Sequence, residues 1–227
     1  MDDMKGSKNP TLPNPAKRRQ ALRLLAAGGL GVVAAPLLAA PAFARVEGSM
    51  EKSGRDALEV MHSRRSHRSF TGASIPDEDL DRILAAAMQA PSSRDTRPWE
   101  FVILRERATI RRIVTLIPSI IYIEKAAALI VNCMNTQANP QEPAEINLMS
   151  MACCAHSELL AAEALGYGAV WIALMYEGDR AGTFKRLLDI PEHFTTFNMV
   201  AVGVPSMHIP RENRFDPKRI HLDNWNS

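Results

Sequence analysis

The sequence predicts an α+β fold, with one mixed β-sheet packed against several helices. Two observations carry that expectation. Four apolar runs of strand length stand after residue 98: WEFVIL (99–104), AAALIVNC (126–133), AVWIAL (169–174) and FNMVAVGV (197–204). Helical patterns lie before and between them, but strands and helices do not alternate in strict βαβ order. A hydrophobic content of 46% is enough to give such a sheet a core, so wholesale disorder is excluded.

The N-terminal part of the chain carries Lys17, Arg18 and Arg19, then an apolar run from Leu24 to Ala40, then the small-x-small triplet Ala42-Phe43-Ala44. That order is the pattern of an export signal with a peptidase site. Gly28, Gly29, Gly31 and Pro36 interrupt the run, which falls short of the roughly 20 unbroken apolar residues of a spanning helix. Paired Arg18-Arg19 ahead of a weakly apolar segment resembles a twin-arginine signal. Lys17 and Ala21 depart from that pattern, standing where Ser or Thr and Phe are common. Residues 1–44 are therefore expected to be an export signal, and residues 45–227 one continuous domain in the periplasm. Without cleavage the same segment would tether the domain to a membrane.

Within the domain, residues 55–63 read as a short helix that ends on SRRSHRSF. Pro76 and the acids Asp77 and Glu78 start a second helix, where negative charge suits the positive end of the helix dipole. Leu80, Ile83, Leu84 and Ala87 follow at helical spacing, and Pro91 stops it. Strand 99–104 leads into the amphipathic helix RERATIRRIVTLI, and strand 126–133 leads into a polar loop, 135–145. An apolar-rich helix spans 146–165 and stops at Gly166. After strand 169–174 comes the helix DRAGTFKRLLDI, then strand 197–204 and a charged tail ending in an aromatic.

The chemistry has few candidates. Cys133, Cys153 and Cys154 are too few for a disulfide framework and lack metal-ligand spacing, so they read as buried small residues. His156 stands on a helix among Ala and Leu and reads as a core residue rather than a base. Arg64, Arg65 and Arg68, with serines between them, form a basic cluster suited to an anion. A net charge of +2, from 27 basic and 25 acidic residues, argues against nucleic acid and for a local site.

SRRSHRSF, then IPDEDLDRILAAAMQAPSSRDTRPWEFVIL, then AAEALGYGAVWIAL, LLDIPEHFTTFNMVAVGVPS and NRFDPKRIHLDNW, taken in order, resemble the nitroreductase family of flavoproteins. The resemblance covers residues 55–225 and implies FMN as cofactor and a homodimer with the flavin at the subunit interface. The anion is then the FMN 5′-phosphate. By position, Arg64, Ser66 and Arg68 match its phosphate and ribityl contacts, with Arg65 beside them. Arg214 matches the basic residue of the C-terminal arm, with Arg211 in reserve. Ser92 and Ser93 match residues against the isoalloxazine ring. Trp171, Ile172, Ala173 and Leu174 match the strand that passes the ring, with a backbone N–H near Ala173 or Leu174 facing flavin N5.

Two positions depart from the family pattern. Asp95 stands for its Asn and Arg97 for its Gln, both near the pyrimidine edge of the flavin. A free guanidinium there would favour the reduced flavin, whereas pairing with Asp95 would cancel that charge. The stretch IPSIIYIEK (117–125) offers no clear further flavin donor beyond Tyr122 and Lys125. Family chemistry belongs to the cofactor, so no catalytic side chain is required. The resemblance implies ping-pong transfer from NAD(P)H to a nitroaromatic or quinone-type acceptor. In an exported protein, where NAD(P)H is scarce, the donor would instead be a membrane quinol or a protein. Two alternatives stand beside this: a reductive dehalogenase-like flavoprotein, although the 135–145 loop is short for a lid, and a flavin-binding electron shuttle without a dedicated substrate.

Overall fold

The computed structural model describes residues 56–141, 143–175 and 179–225. The expected export signal at 1–44 lies outside them. Helix α1 (Ala57–Ser63) is capped by Asp56, whose carboxylate accepts from the N–H groups of Leu58 and Glu59 at 2.8 and 3.2 Å. Helix α2 (Asp77–Met88) starts after Pro76 with Asp77, Glu78 and Asp79 in its first turn, and it buries Leu80, Ile83 and Ala87. Strand β1 (Trp99–Leu104) is followed by α3 (Arg107–Leu116), which buries Ile110 and Ile113. Then come β2 (Ala128–Asn135), α4 (Ala144–Ala164), β3 (Gly168–Ala173), α5 (Arg180–Leu187) and β4 (Phe194–Gly203).

The four strands form one sheet in the order β1-β2-β4-β3, and every ladder is antiparallel. A parallel contact appears at its edge, where Ser66 bridges Ala169. Strand pleating sorts the side chains onto two faces. Ile130, Val200 and Val202 pack with Leu80, Ile83, Leu159 and Ala162 of α2 and α4. Leu129, Val131, Ile172, Leu174, Met199 and Ala201 pack with Ile110 and Ile113 of α3, Ile123, and Phe184 of α5. Each large aliphatic buried in this way stabilises the fold by roughly 1.5–3 kcal/mol.

Four local features differ from the sequence reading; the first is β2, which lies two residues later than the 126–133 apolar run. Residues 118–125, to which the sequence assigned no regular element, form a 3-10 turn that buries Ile120 and Ile123. Strand β4 begins at Phe194 rather than at residue 197, because the polar pair Thr195 and Thr196 still pairs with Met134 and Cys133. On α4 the buried stripe runs through Asn147, Ser150, Met151, Cys154, Ala155, Glu158, Leu159 and Ala162, which is helical spacing. Cys153 and His156 fall off that stripe and are exposed, contrary to their reading as interior residues. Cys133 and Cys154 are buried as expected, and burial pushes the Cys133 thiol up to about 11.

Candidate active site

The basic cluster lies on an extended segment after α1, held beside β3. His67 N–H donates to Ala169 O at 3.0 Å, next to the Ser66 bridge. Extended backbone alternates its side chains, and burial follows that rule. Arg65 and His67 turn inward, while Arg64, Ser66 and Arg68 are partly or fully exposed. Gly168 permits this close approach: a Cβ there would stand 2.8 Å from His67 Cβ and Cγ. The α4–β3 turn that sets the register uses Gly166 at φ +83°, with Tyr167 N–H donating to Ala162 O at 2.8 Å.

Arg65 has a role the sequence did not suggest. It is 8% exposed, and its guanidinium donates to four backbone carbonyls: His62 at 3.0 Å, Arg64 at 2.8 Å, Pro210 at 3.2 Å and Glu212 at 3.4 Å. It clamps the C-terminal tail to the end of α1, and four of its five N–H groups are engaged by those carbonyls. The expectation that it stands among the anion contacts is therefore corrected. The outward side belongs to Arg64, whose guanidinium has no hydrogen bond or ion pair among the described residues. Burial and the neighbouring positive charges of Arg65 and Arg214 lower the Arg64 pKa, with Glu163 opposing them. The fold thus brings Arg214 near Arg64, as the sequence suggested. Arg214 itself donates through Nε to Glu212 at 3.0 Å. Arg211, the reserve candidate, is engaged elsewhere: its Nη1 donates to Glu59 at 3.0 Å.

Beyond Ser66 the segment carries Arg68 over the ring of Tyr122, 6.0 Å from its centroid. Arg68, Tyr122 and Lys125 line one cavity of about 350 Å³. Along β3, Ile172 and Leu174 are buried in the core, so their side chains are not free to meet a ligand. Trp171 and Ala173 are partly exposed. Trp171 packs edge-on against Phe197, with ring centroids 5.4 Å apart at 79°. Leu174 follows the last paired residue of β3, so its backbone N–H lies outside the β3–β4 register.

The loop 92–97 is tightly built. Ser92 Oγ accepts from Arg97 N–H at 3.0 Å, and Ser93 N–H donates to Ser150 Oγ at 3.2 Å. Arg94, Asp95 and Arg97 adopt φ of 48°, 58° and 46°, a left-handed conformation uncommon outside glycine. Asp95 and Arg97 form a two-pronged ion pair, Nε–Oδ1 2.8 Å and Nη2–Oδ2 2.6 Å. The pairing holds the Asp95 carboxyl below its usual range and raises the Arg97 pKa. Ser92 and Ser93 line an apolar cavity of about 330 Å³ with Ile146, Met149 and Cys153.

The two clusters sit at opposite ends of α4. Ser93 is tied to Ser150, whereas Ser63, next to Arg64, donates to Glu163 at 2.7 Å. At 1.5 Å per residue those anchor points are roughly 20 Å apart along the helix. One protomer therefore does not gather Ser92, Ser93, Asp95 and Arg97 around Arg64.

This combination, a basic strand beside β3 and an Arg-bearing tail clamped to it, can be set beside known proteins. The nitroreductase family model matches residues 61–130 and 118–204. The chain belongs to the nitroreductase family. An inferred NADH dehydrogenase/NAD(P)H nitroreductase of Methanothermobacter thermautotrophicus is 34% identical, over 79% of this chain and 92% of its own. The crystal structure of a similarly described protein from Parabacteroides distasonis superposes with a TM-score of 0.70 at 30% identity, over 75% of this chain and 99% of its own. The NADPH:FMN oxidoreductase from Vibrio harveyi, solved in complex with NAD+, superposes with a TM-score of 0.66 at 25% identity, over 76% of this chain and 79% of its own.

This nitroreductase chain also carries an acid that its sequence did not single out. Glu158 of α4 is wholly buried, and its Oε2 accepts from Asn132 Nδ2 of β2 at 3.1 Å. The same Nδ2 donates to Asn198 Oδ1 of β4 at 2.9 Å. Burial pushes the Glu158 carboxyl up to about 8, with the Asn132 hydrogen bond opposing. The signal for it was present: Glu158 stands three and four residues from Cys154, Ala155 and Ala162 in an apolar stripe, a spacing that puts a carboxyl inside.

Proposed function

We propose that this protein is an FMN-dependent oxidoreductase, working as a homodimer, that passes reducing equivalents from NAD(P)H to a nitroaromatic or quinone-type acceptor. The observation that carries the reading is the outward side of the 64–68 strand. Arg64 stands there with no side-chain ion pair among the described residues and Glu163 as its acidic neighbour, near Arg214, on a strand fixed beside β3. A phosphate with nearly two negative charges suits that donor set, and a guanidinium can meet it with two parallel bonds. Arg64 and Ser66 would hold the phosphate end, and Arg214 would close it from the tail. Arg68 lies further along the strand, towards the ring. The Leu174 backbone N–H would orient the ring, and Trp171 and Ala173 would form its apolar bed.

FMN, when bound, supplies the hydride and electron transfer. The chain's own part is to bind it, fix its orientation and leave one face open to donor and acceptor in turn. The separation of the clusters along α4 supports the dimer: a second copy would bring its Ser92, Ser93 and Asp95–Arg97 pair to the first copy's Arg64–Arg68 strand. Anaerobic titration of purified protein tests the reading. Flavin absorbance bleached by NADH or NADPH and restored by a nitroaromatic or quinone supports it. Protein without flavin, or flavin that no nitroaromatic or quinone reoxidises, overturns it; the second result would leave an electron shuttle. From the N-terminal pattern alone we propose a second reading, exclusive of NAD(P)H as donor, in which the protein is exported. In that setting the donor would be a membrane quinol or a protein partner, and bleaching by quinol but not NAD(P)H would assign it.

A further inference from the structure

The interface between the sheet and α4 holds three polar side chains where apolar ones would be expected. Asn132, Asn198 and Glu158 are each wholly buried, and Asn132 Oδ1, Asn198 Nδ2 and Glu158 Oε1 have no hydrogen-bond partner among the described residues. Buried polar groups left partly unsatisfied are costly and tend to persist at functional places. The position of this group is informative. Asn132 and Asn198 continue the face that carries Ile130 and Val200, the face on which Trp171 packs. Asn198 stands opposite Ala173 in the β3–β4 ladder. Glu158 is thus joined by two hydrogen bonds to the residue paired with the end of β3, where the flavin ring is placed above.

We propose that Glu158 is a redox-linked proton acceptor: its carboxylate takes a proton from solvent when the flavin beside β3 is reduced. The inference rests on the flavin reading of the site. Reduction brings two electrons and one proton to the flavin, leaving one additional negative charge. That charge raises the affinity of a nearby carboxylate for a proton. Where Glu158 is ionised before reduction, it binds one proton as the electrons arrive, for a total of two protons per two electrons. Where it is already neutral, it binds none. Burial places the change of regime near pH 8.

Few other groups can take this role. Burial and the Asn132 hydrogen bond account for the shift of Glu158, and no charged side chain of α1, α2, β2, β3 or β4 adds to it. The titratable neighbour it does influence is the Cys154 thiol, one turn earlier on α4, which burial holds protonated. β2 and β4 present the amides of Asn132 and Asn198.

The test is spectroelectrochemical titration of the flavin-loaded dimer from pH 6 to pH 10. For the natural protein, the protons bound per two electrons should rise from one towards two as pH passes about 8. In Glu158→Gln the excess proton should vanish while flavin binding is retained. Infrared difference spectra, reduced minus oxidised, give a reading that needs no variant. Above the change of regime, reduction should add a carbonyl stretch of a protonated carboxyl that shifts in D2O. A proton count identical in the natural protein and Glu158→Gln, or no carboxyl band on reduction, overturns the inference and leaves the flavin reading standing. Protein that carries no flavin overturns both.

Discussion

Arg64 and Arg65 are neighbours with opposite jobs, and the difference can be measured. Arg65→Ala would remove a buried guanidinium and leave the partly buried carbonyl contacts to Pro210 and Glu212 without their donor. The expected loss is about 2–4 kcal/mol in denaturant unfolding, with faster proteolysis after residue 205. Arg64→Ala should leave stability unchanged and weaken flavin binding by roughly 10–100-fold, the worth of one charged hydrogen bond to phosphate. Equal effects of the two variants on flavin affinity and stability would refute the division. Glu158 makes a third residue-level prediction. Its folded pKa is raised, so the folded state binds more protons between its unfolded value and about 8. Its contribution to stability is full at low pH and falls as pH rises through that window. Melting temperature should decline from about pH 5 to pH 8, and Glu158→Gln should flatten the decline. At this scale the sequence was legible for the basic character of the cluster, and the fold does set Arg214 near Arg64. It was not legible for Arg65, because which side of a strand faces inward depends on the neighbour it pairs with.

The elements were read more fully than their edges. β1 has the bounds its apolar run suggested, while the start of β4 is set by pairing of Thr195 and Thr196 that no apolar run announces. The parallel bridge of Ser66 to Ala169 was invisible to pattern, since it joins a single position across the chain. Gly168 is its enabling residue. Gly168→Ala should push the 64–68 strand off β3 at a cost of about 1–3 kcal/mol, seen as a lowered denaturation midpoint and loss of bound flavin. The 92–97 loop makes a prediction of its own. Asp95 already neutralises Arg97, so Arg97→Gln should change the flavin midpoint potential little, whereas Asp95→Asn frees the guanidinium and should raise it. Stability should barely move in either case, because an exposed pair contributes roughly 0–1 kcal/mol.

On the scale of the whole molecule, the order of the motifs was legible and their distance was not. Sequence order places SRRSHRSF and APSSRDTRPW close together, yet α4 keeps their anchor points at opposite ends. A second copy reconciles the two. The tail that would reach it exposes Phe215, Leu222 and Trp225, at 72%, 70% and 80% of their surface. Apolar exposure on that scale fits a segment that docks elsewhere. Removing residues 215–227 should shift sedimentation from dimer to monomer and release flavin in the same concentration range. A truncated protein that stays dimeric would assign the interface to other surfaces.

The Arg65 clamp also sets a timetable. It joins positions 145 and 147 residues apart, and the strand it steadies leans on Gly168. Residues made early in synthesis must wait for some of the last, roughly 10–30 s at ordinary ribosome speeds. On the reading proposed above, a nascent chain would therefore have no finished phosphate cradle to offer. Cofactor loading becomes a sign of completion, and a prematurely terminated chain would remain empty however well its sheet had begun to form.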